Sequence, residues 1–148
     1  FKLKMAKIIR YCVLEEDHYG KNVFKIHRPS IFGNPYTHIK NKKTKALVTV
    51  DSREEAIELY DPYFDAMMEQ NEEFRKAFEE LIAAYDKYDV IYLGCYCTPE
   101  QSCHGDVIIK KINQFVLKRH IDKIIGPYKL KKIFDTQPPV KGTFSVDS

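Results

Sequence analysis

An apolar run that ends in a cysteine-rich turn and then opens a helix is the feature that most constrains this chain. Val90-Ile91-Tyr92-Leu93 leads into Gly94-Cys95-Tyr96-Cys97, a short polar loop follows, and Cys103-His104-Gly105-Asp106 begins an amphipathic stretch. A strand with apolar residues on both faces belongs inside a sheet, so Asp89 to Cys95 is predicted as a central strand. Folds of the α/β class place their chemistry where such a strand hands over to a helix N-terminus. Three of the four cysteines and one of the five histidines fall between Cys95 and His104.

The remaining segments predict what surrounds that strand. Lys7 to Leu14, rich in Ile, Tyr and Val, reads as a strand, Asp17 to Asn22 as a turn around Gly20, and Val23 to Ile26 as the returning strand of a hairpin. His27 to His38 contains two prolines and is expected to be a stiff loop. Lys40 to Lys45 is a basic loop, and Ala46 to Val50 a short edge strand. Ser52 followed by Glu55 is a capping-box start for a helix whose apolar stripe is Ala56, Ile57, Tyr60 and Phe64. Pro62 is expected to kink or restart it near Asp61.

Asn71 caps a second helix carrying Phe74, Ala77, Phe78, Leu81, Ile82 and Tyr85 at helical spacing. Gly105 to Arg119 is a third, with Val107, Ile108, Ile112, Phe115 and Val116 on its buried side. Ile121 to Ile125 reads as a last strand stopped by Gly126-Pro127, and Lys129 to Ser148 as an extended or partly disordered tail. The fold class expected is α/β, with a small, mostly parallel sheet flanked by helices in a Rossmann-like arrangement. A single domain would span residues 5–128, with Phe1 to Lys4, ahead of Met5, read as an expression remnant.

Composition excludes several classes. With 148 residues, 44% hydrophobic and 30% charged, the chain can bury a core of ordinary size. No apolar run approaches a membrane span, and no leader sequence is visible, so the expected location is the cytoplasm, that of the host for a phage-encoded protein. Four cysteines, three of them clustered, do not resemble a secreted disulfide framework; clustered thiols in a reducing compartment point to metal binding or reactivity. The net charge of +3 is too small to imply nucleic-acid binding by itself. Residues 53 to 80 are acidic, whereas residues 38 to 45 and 110 to 132 are basic. This pattern is either a solvated surface or a rim that steers an anionic ligand, a nucleic acid or a host protein.

Two groups of residues are candidates for chemistry. Cys95, Cys97, Cys103 and His104 offer soft ligands, with zinc as the candidate metal, although the spacing is not that of a standard zinc knuckle. The same residues also fit a catalytic centre. Cys103 at a helix N-terminus would have a stabilised thiolate, with His104 as base or cationic neighbour. A third reading leaves the cysteines as small packing residues that shape a ligand site. Asp106 is either helix-terminal charge or a carboxylate that holds a sugar hydroxyl or acts as a base. In the proline-stiffened loop, Arg28 offers a fork for phosphate, Ser30 and Asn34 offer polar contacts, and Gly33 allows close backbone approach. His18, His27, His38 and His120 are expected to be surface or internally satisfied residues.

Arg28-Pro29-Ser30 with Gly33-Asn34-Pro35-Tyr36, then Ser52 to Ala56, then Leu93 to Cys97 with Pro99 and Cys103 to Asp106, occur in that order. This succession resembles the domain of unknown function 4326 family, small proteins common in bacteriophages and bacteria. The family pattern is an R-P-S…G-N-P-[FY] loop, an S/T-R-E-E-A helix start and an L-x-C-[WY]-C-x-P…C-H-G-D segment. The resemblance covers roughly residues 23 to 118. Tyr96 stands where the family often has Trp, the His38 to Val50 and Arg53 to Lys87 segments are longer than usual, and the chain after Arg119 lies outside the core. A compact α/β domain with a shared pocket is implied; a reaction is not.

Together these readings predict one pocket between the Arg28–Tyr36 loop and the Cys95–Asp106 turn. It would contain Arg28, Ser30, Gly33, Asn34, Cys95, Cys97, Cys103, His104 and Asp106. The expected ligand is a nucleotide, nucleoside or related phosphorylated compound, and for an enzyme the expected chemistry is hydrolysis or glycosyl or phosphoryl transfer. The alternative is a non-catalytic phage accessory protein with a structural zinc site, binding a host macromolecule.

Overall fold

The computed structural model describes residues 5–39 and 47–136, with side chains described as far as Gly126. In chain order the elements are β1 (Lys7–Cys12), β2 (Val23–Lys25), β3 (Tyr36–Thr37), β4 (Val48–Thr49), α1 (Arg53–Gln70), α2 (Glu72–Lys87), β5 (Val90–Cys95) and α3 (His104–Thr136). The class is mixed α/β, built on a small parallel sheet in a Rossmann-like arrangement.

The sheet order is β1-β5-β2, and both flanking strands run parallel to β5. The two-faced strand therefore takes the centre as expected, with Ile91 and Leu93 fully buried and Cys95 nearly so. The expected hairpin does not form. β1 and β2 point the same way and are separated by β5, with Ile8 opposite Ile91 and Phe24 opposite Leu93. A buried strand has to satisfy its backbone N–H and C=O groups on both edges, which β1 and β2 do for β5, and the segment between Cys12 and Val23 is long enough to return the chain instead of reversing it. A second, two-stranded parallel sheet pairs Tyr36 with Val48 and Thr37 with Thr49, so part of the expected edge strand is present. The basic loop Lys40 to Lys45, with Ala46, lies outside the described residues.

The helix starts follow their caps. Ser52 Oγ accepts from Glu55 N at 3.0 Å, and Glu55 reaches back to Asp51 N at 2.9 Å, one residue before the cap. α1 runs unbroken through Pro62, contrary to the expected restart. The missing N–H would have served the carbonyl of Glu58, which stands on an exposed face where solvent satisfies it. Asn71 caps α2 by accepting from Phe74 N at 2.9 Å. Phe74, Phe78, Leu81, Ile82 and Tyr85 are buried as their spacing predicts, and Ala84 joins them. Tyr60 is fully buried and donates to Phe32 O at 2.7 Å, which fixes the proline-rich loop on α1. Phe32 and Phe64 close on Phe74 at ring distances of 5.2 and 4.9 Å.

By its contacts the chain divides between Ile112 and Asn113. In the unit Lys4–Ile112, the first turns of α3 are tied to α1. Lys111 pairs with Asp61 at 2.6 Å and with Asp65 at 2.9 Å, and Lys110 also bonds Asp61. The hydrogen bonds from Lys110 and Lys111 hold the Asp61 carboxyl below its usual range. Two lysines expected on a basic rim are thus neutralised within the fold. Val107, Ile108 and Ile112 are buried as expected.

In the other unit, α3 continues from Asn113. Phe115, expected on the buried side, is 43% exposed, while Val116 is buried. Residues Ile121 to Ile125 are helical and not the expected strand, because nothing between Gly105 and Gly126 interrupts the helical spacing. Gly126, at φ 76° and ψ 158°, breaks the helix, and the backbone is helical again to Thr136 where an extended tail is expected from Lys129. The expected tail beyond Thr136 lies outside the described residues.

Candidate functional site

The carboxyl ends of β5 and β2 lie side by side, with Ile26 N bonded to Gly94 O at 2.8 Å. Two loops leave from this edge, as expected for the ligand edge of a parallel sheet. The first follows β2 and closes on itself. Arg28 Nη1 donates to Asn34 O at 2.7 Å and to Tyr36 O at 3.4 Å across the loop, and the Arg28–Pro29 peptide is cis. Asn34 is buried; its Nδ2 donates to Ala56 O at 3.0 Å and its Oδ1 accepts from Tyr36 N at 3.0 Å. A Cβ on Gly33 would stand 3.0 Å from Arg28 Cα and 3.1 Å from Ser30 O. Gly33 is therefore required for the loop to approach itself and not to let a ligand close. Ser30 Oγ is buried with no hydrogen-bond partner among the described residues.

The second loop carries the thiols. The Sγ atoms of Cys95, Cys97 and Cys103 all lie within 4.8 Å of one another, and all four cysteines are free. Cys95 closes β5, Cys97 sits two residues on in the turn, and Cys103 occupies the position before α3. There Cys103 serves as the helix cap. Its sulfur accepts from Gly105 N at 3.3 Å, while Asp106 Oδ2 accepts from Cys103 N at 3.2 Å, a capping box built on a thiol. Asp106 also pairs with Arg10 Nε at 3.3 Å. The helix-terminal reading of Asp106 thus describes its position, and it does not reach the cavity wall.

Two arginines, absent from the sequence-based site, organise the thiol turn. Arg10, on β1, donates to Thr98 O at 3.2 Å, Pro99 O at 2.9 Å and Gln101 O at 2.6 Å, with Cys95 Sγ at 3.8 Å. Arg53, the first residue of α1, donates to Cys97 Sγ at 3.3 Å and Ser102 O at 3.4 Å. The three sulfurs share protons unequally. Hydrogen bonds from Cys103 and Cys95, with the Arg53 guanidinium, push the Cys97 thiol well down. Those same sulfur–sulfur hydrogen bonds, with burial, push Cys103 up. The hydrogen bonding among the sulfurs thus favours a thiolate at Cys97 and disfavours the one expected at Cys103, which burial opposes further. Metal-free protein is expected to alkylate first at Cys97, the half-exposed thiol, with buried Cys12, Cys95 and Cys103 slower. Timed labelling with peptide mapping reads the order, and Cys103 modified ahead of Cys97 would contradict it.

His104 is turned inward. Its Nε2–H donates to Ile26 O at 2.8 Å, which leaves Nδ1 as acceptor 3.6 Å from Cys103 Sγ. Burial pushes its pKa down to about 4, so the ring is neutral. Its ring packs edge-on against Tyr60 at 4.9 Å. It is not among the residues whose ligand atoms converge within 4.8 Å, which are the three cysteines.

The two loops and the N-terminus of α1 enclose a cavity of about 410 Å³, within the range of small-molecule sites. Of the predicted residues, Arg28, Asn34, Cys95, Cys97, Cys103 and His104 line it; Ser30, Gly33 and Asp106 do not. His27 and His38, expected as surface or internally satisfied residues, also line it, with Tyr36, Tyr96 and Arg53. His27 donates to Arg28 O at 2.8 Å and packs against Tyr96 at a ring distance of 4.4 Å. Among the described residues the wall contains two arginines and no aspartate or glutamate.

These features define a parallel α/β domain with a thiol-lined pocket at the carboxyl edge of its central strand. The chain belongs to the family described as Domain of unknown function (DUF4326), which matches residues 14–114. The matched span holds every motif of the two loops but begins after Arg10 and Cys12. No curated protein and no solved structure matches the chain.

Proposed function

We propose that the cavity binds a small phosphorylated ligand of nucleotide or nucleoside type. The observation that carries this reading is the charge of the wall, which among the described residues has Arg28 and Arg53 and no carboxylate. A concave site with two guanidinium groups set against one thiolate, that of Cys97, favours an anion electrostatically, and low-dielectric walls concentrate the effect. Tyr36 and Tyr96 add aromatic faces of the kind on which a base stacks. Asp106 has no part in this pocket, because Arg10 and the helix cap occupy it. We extend the reading to a cytoplasmic, phage-type protein: unpaired thiols packed together suit a reducing compartment, and the phage reading rests on the motif resemblance alone.

The test is a thermal-shift panel of nucleoside mono- and diphosphates on the full chain, followed by calorimetry on any hit. Arg53→Gln is the better variant, because Arg28 also braces its own loop through Asn34 O and Tyr36 O. A charge-assisted bond to phosphate contributes about 1.5–3 kcal/mol, so Arg53→Gln is expected to weaken the ligand about ten- to hundredfold. A wild-type protein that no nucleotide shifts would remove the proposal.

The accessory-protein reading with a structural zinc has one observation in its favour, the three converging sulfurs. A closed structural site takes four protein ligands. Among the described residues the convergent group has three, and His104 is not one of them. A nucleic acid or host protein on the basic rim would have to rely on residues other than Lys110 and Lys111, which are paired.

A further inference from the structure

We infer that Cys95, Cys97 and Cys103 form a mononuclear three-thiolate site for a thiophilic divalent cation, zinc foremost. Its fourth coordination position opens into the cavity and receives the anionic group of the ligand. The link to an anionic ligand rests on the pocket reading above; the metal site itself does not.

Geometry comes first. Tetrahedral zinc with sulfur at about 2.3 Å sets its thiolates about 3.8 Å apart, and the three Sγ atoms already lie within 4.8 Å of one another. They are carried by rigid backbone: the end of the central strand, the turn bonded to Arg10, and the cap of α3. Little rearrangement is needed to close them on one ion.

The second observation is independent of spacing. Each sulfur meets its own N–H donor: Arg10 for Cys95 at 3.8 Å, Arg53 for Cys97 at 3.3 Å, and the Gly105 amide for Cys103 at 3.3 Å. Donors aimed at every sulfur of a cluster are the outer shell that orients metal-bound thiolates and tempers their charge. The Gly105 amide also serves the cap of α3, but packing cysteines need neither of the two guanidinium donors.

The third concerns what remains open. All three cysteines line the cavity, so the side of the ion away from the protein faces that space. Catalytic-type zinc sites have this composition, with three protein ligands and one exchangeable position. Three thiolates on a divalent cation leave one net negative charge, which alone would repel an anion. Arg10 and Arg53, bonded to two of the sulfurs, offset that charge even with Asp106 paired to Arg10, and Arg28 in the cavity wall turns the local sign positive.

The experiment titrates cobalt(II) into metal-free full-length chain. One equivalent per chain is expected, with thiolate-to-cobalt charge-transfer absorption and the intense visible bands of a tetrahedral ion. Cys97→Ser, at a half-exposed position, is expected to weaken the ion at least hundredfold. Cys12→Ser, buried but outside the cluster, is expected to leave it unchanged. Arg53→Gln keeps all three ligands and is expected to weaken it about tenfold, which separates an outer-shell effect from misfolding. Azide, and then inorganic phosphate or adenosine monophosphate, are expected to shift the visible bands. Absent cobalt binding, or binding indifferent to Cys97→Ser, overturns the site. A cobalt spectrum unmoved by azide overturns the open position. Phosphate or nucleotide binding seen by calorimetry without a spectral shift overturns the link to the metal and leaves the pocket reading standing. An azide shift with no phosphate or nucleotide binding does the reverse.

Discussion

Arg10→Ala is expected to destabilise the protein by about 4 kcal/mol and to release the thiol turn. The side chain is 8% exposed, and its guanidinium holds the carbonyls of Thr98, Pro99 and Gln101 from one position. A hydrogen bond to a charged group is worth about 1.5–3 kcal/mol, and truncating one partner of a buried charged set costs about 3–5 kcal/mol. The bonds to Pro99 and Gln101 lie toward solvent, which can serve those carbonyls afterwards, so the loss stays below the sum of the parts. The pair with Asp106 adds little, because that carboxylate is 52% exposed. Urea unfolding at unchanged slope measures the loss, and amide exchange over residues 98 to 102 reads the local release. A loss under about 1 kcal/mol with unaltered exchange would show that the turn keeps its shape without Arg10.

The contrast between what was legible and what was not follows the range of the interactions. The central strand, the caps at Ser52 and Asn71, and the apolar stripe of α2 are local patterns, and all stand where their spacing places them. The joining of Arg28 and Asn34 with the cysteines in one cavity was legible because separated polar motifs converge at the carboxyl edge of a parallel sheet. The hairpin failed for a non-local reason: β5, some seventy residues on, inserts between β1 and β2. Arg10 was not legible because it stands as one basic residue within an apolar strand, and its carbonyl partners are all contributed by the turn after β5. One weak signal was available, since a charge inside a buried strand needs a partner. Arg53 lay inside a motif read for its cap and not for its guanidinium. The roles of Gly33 and Asp106 were assigned to a ligand when the chain's own loops claim them, a distinction set by packing that no spacing records.

Gly105→Ala tests that packing directly. In an exposed helix the change stabilises by about 1 kcal/mol through backbone entropy and helix propensity. Here Gly105 is buried in the first turn of α3, and a Cβ would stand 2.7 Å from Arg10 Cδ and 2.9 Å from Ile26 Cδ1. Arg10 Cδ is a mid-chain atom whose guanidinium is fixed by three carbonyls, and Ile26 is fully buried, so neither can withdraw cheaply. Overpacking of this kind costs about 1–3 kcal/mol or more, enough to reverse the sign, and a net loss of about 2 kcal/mol is expected. The same substitution made on Arg10→Ala has lost its nearer obstacle, leaving Ile26 alone. The two changes are then expected to be less than additive by about 1 kcal/mol, a coupling that a double-mutant cycle resolves. Strict additivity, or a Gly105→Ala protein more stable than wild type, would mean that α3 seats itself without the close approach to Arg10, and that the helix cap alone positions Cys103 beside the other two thiols.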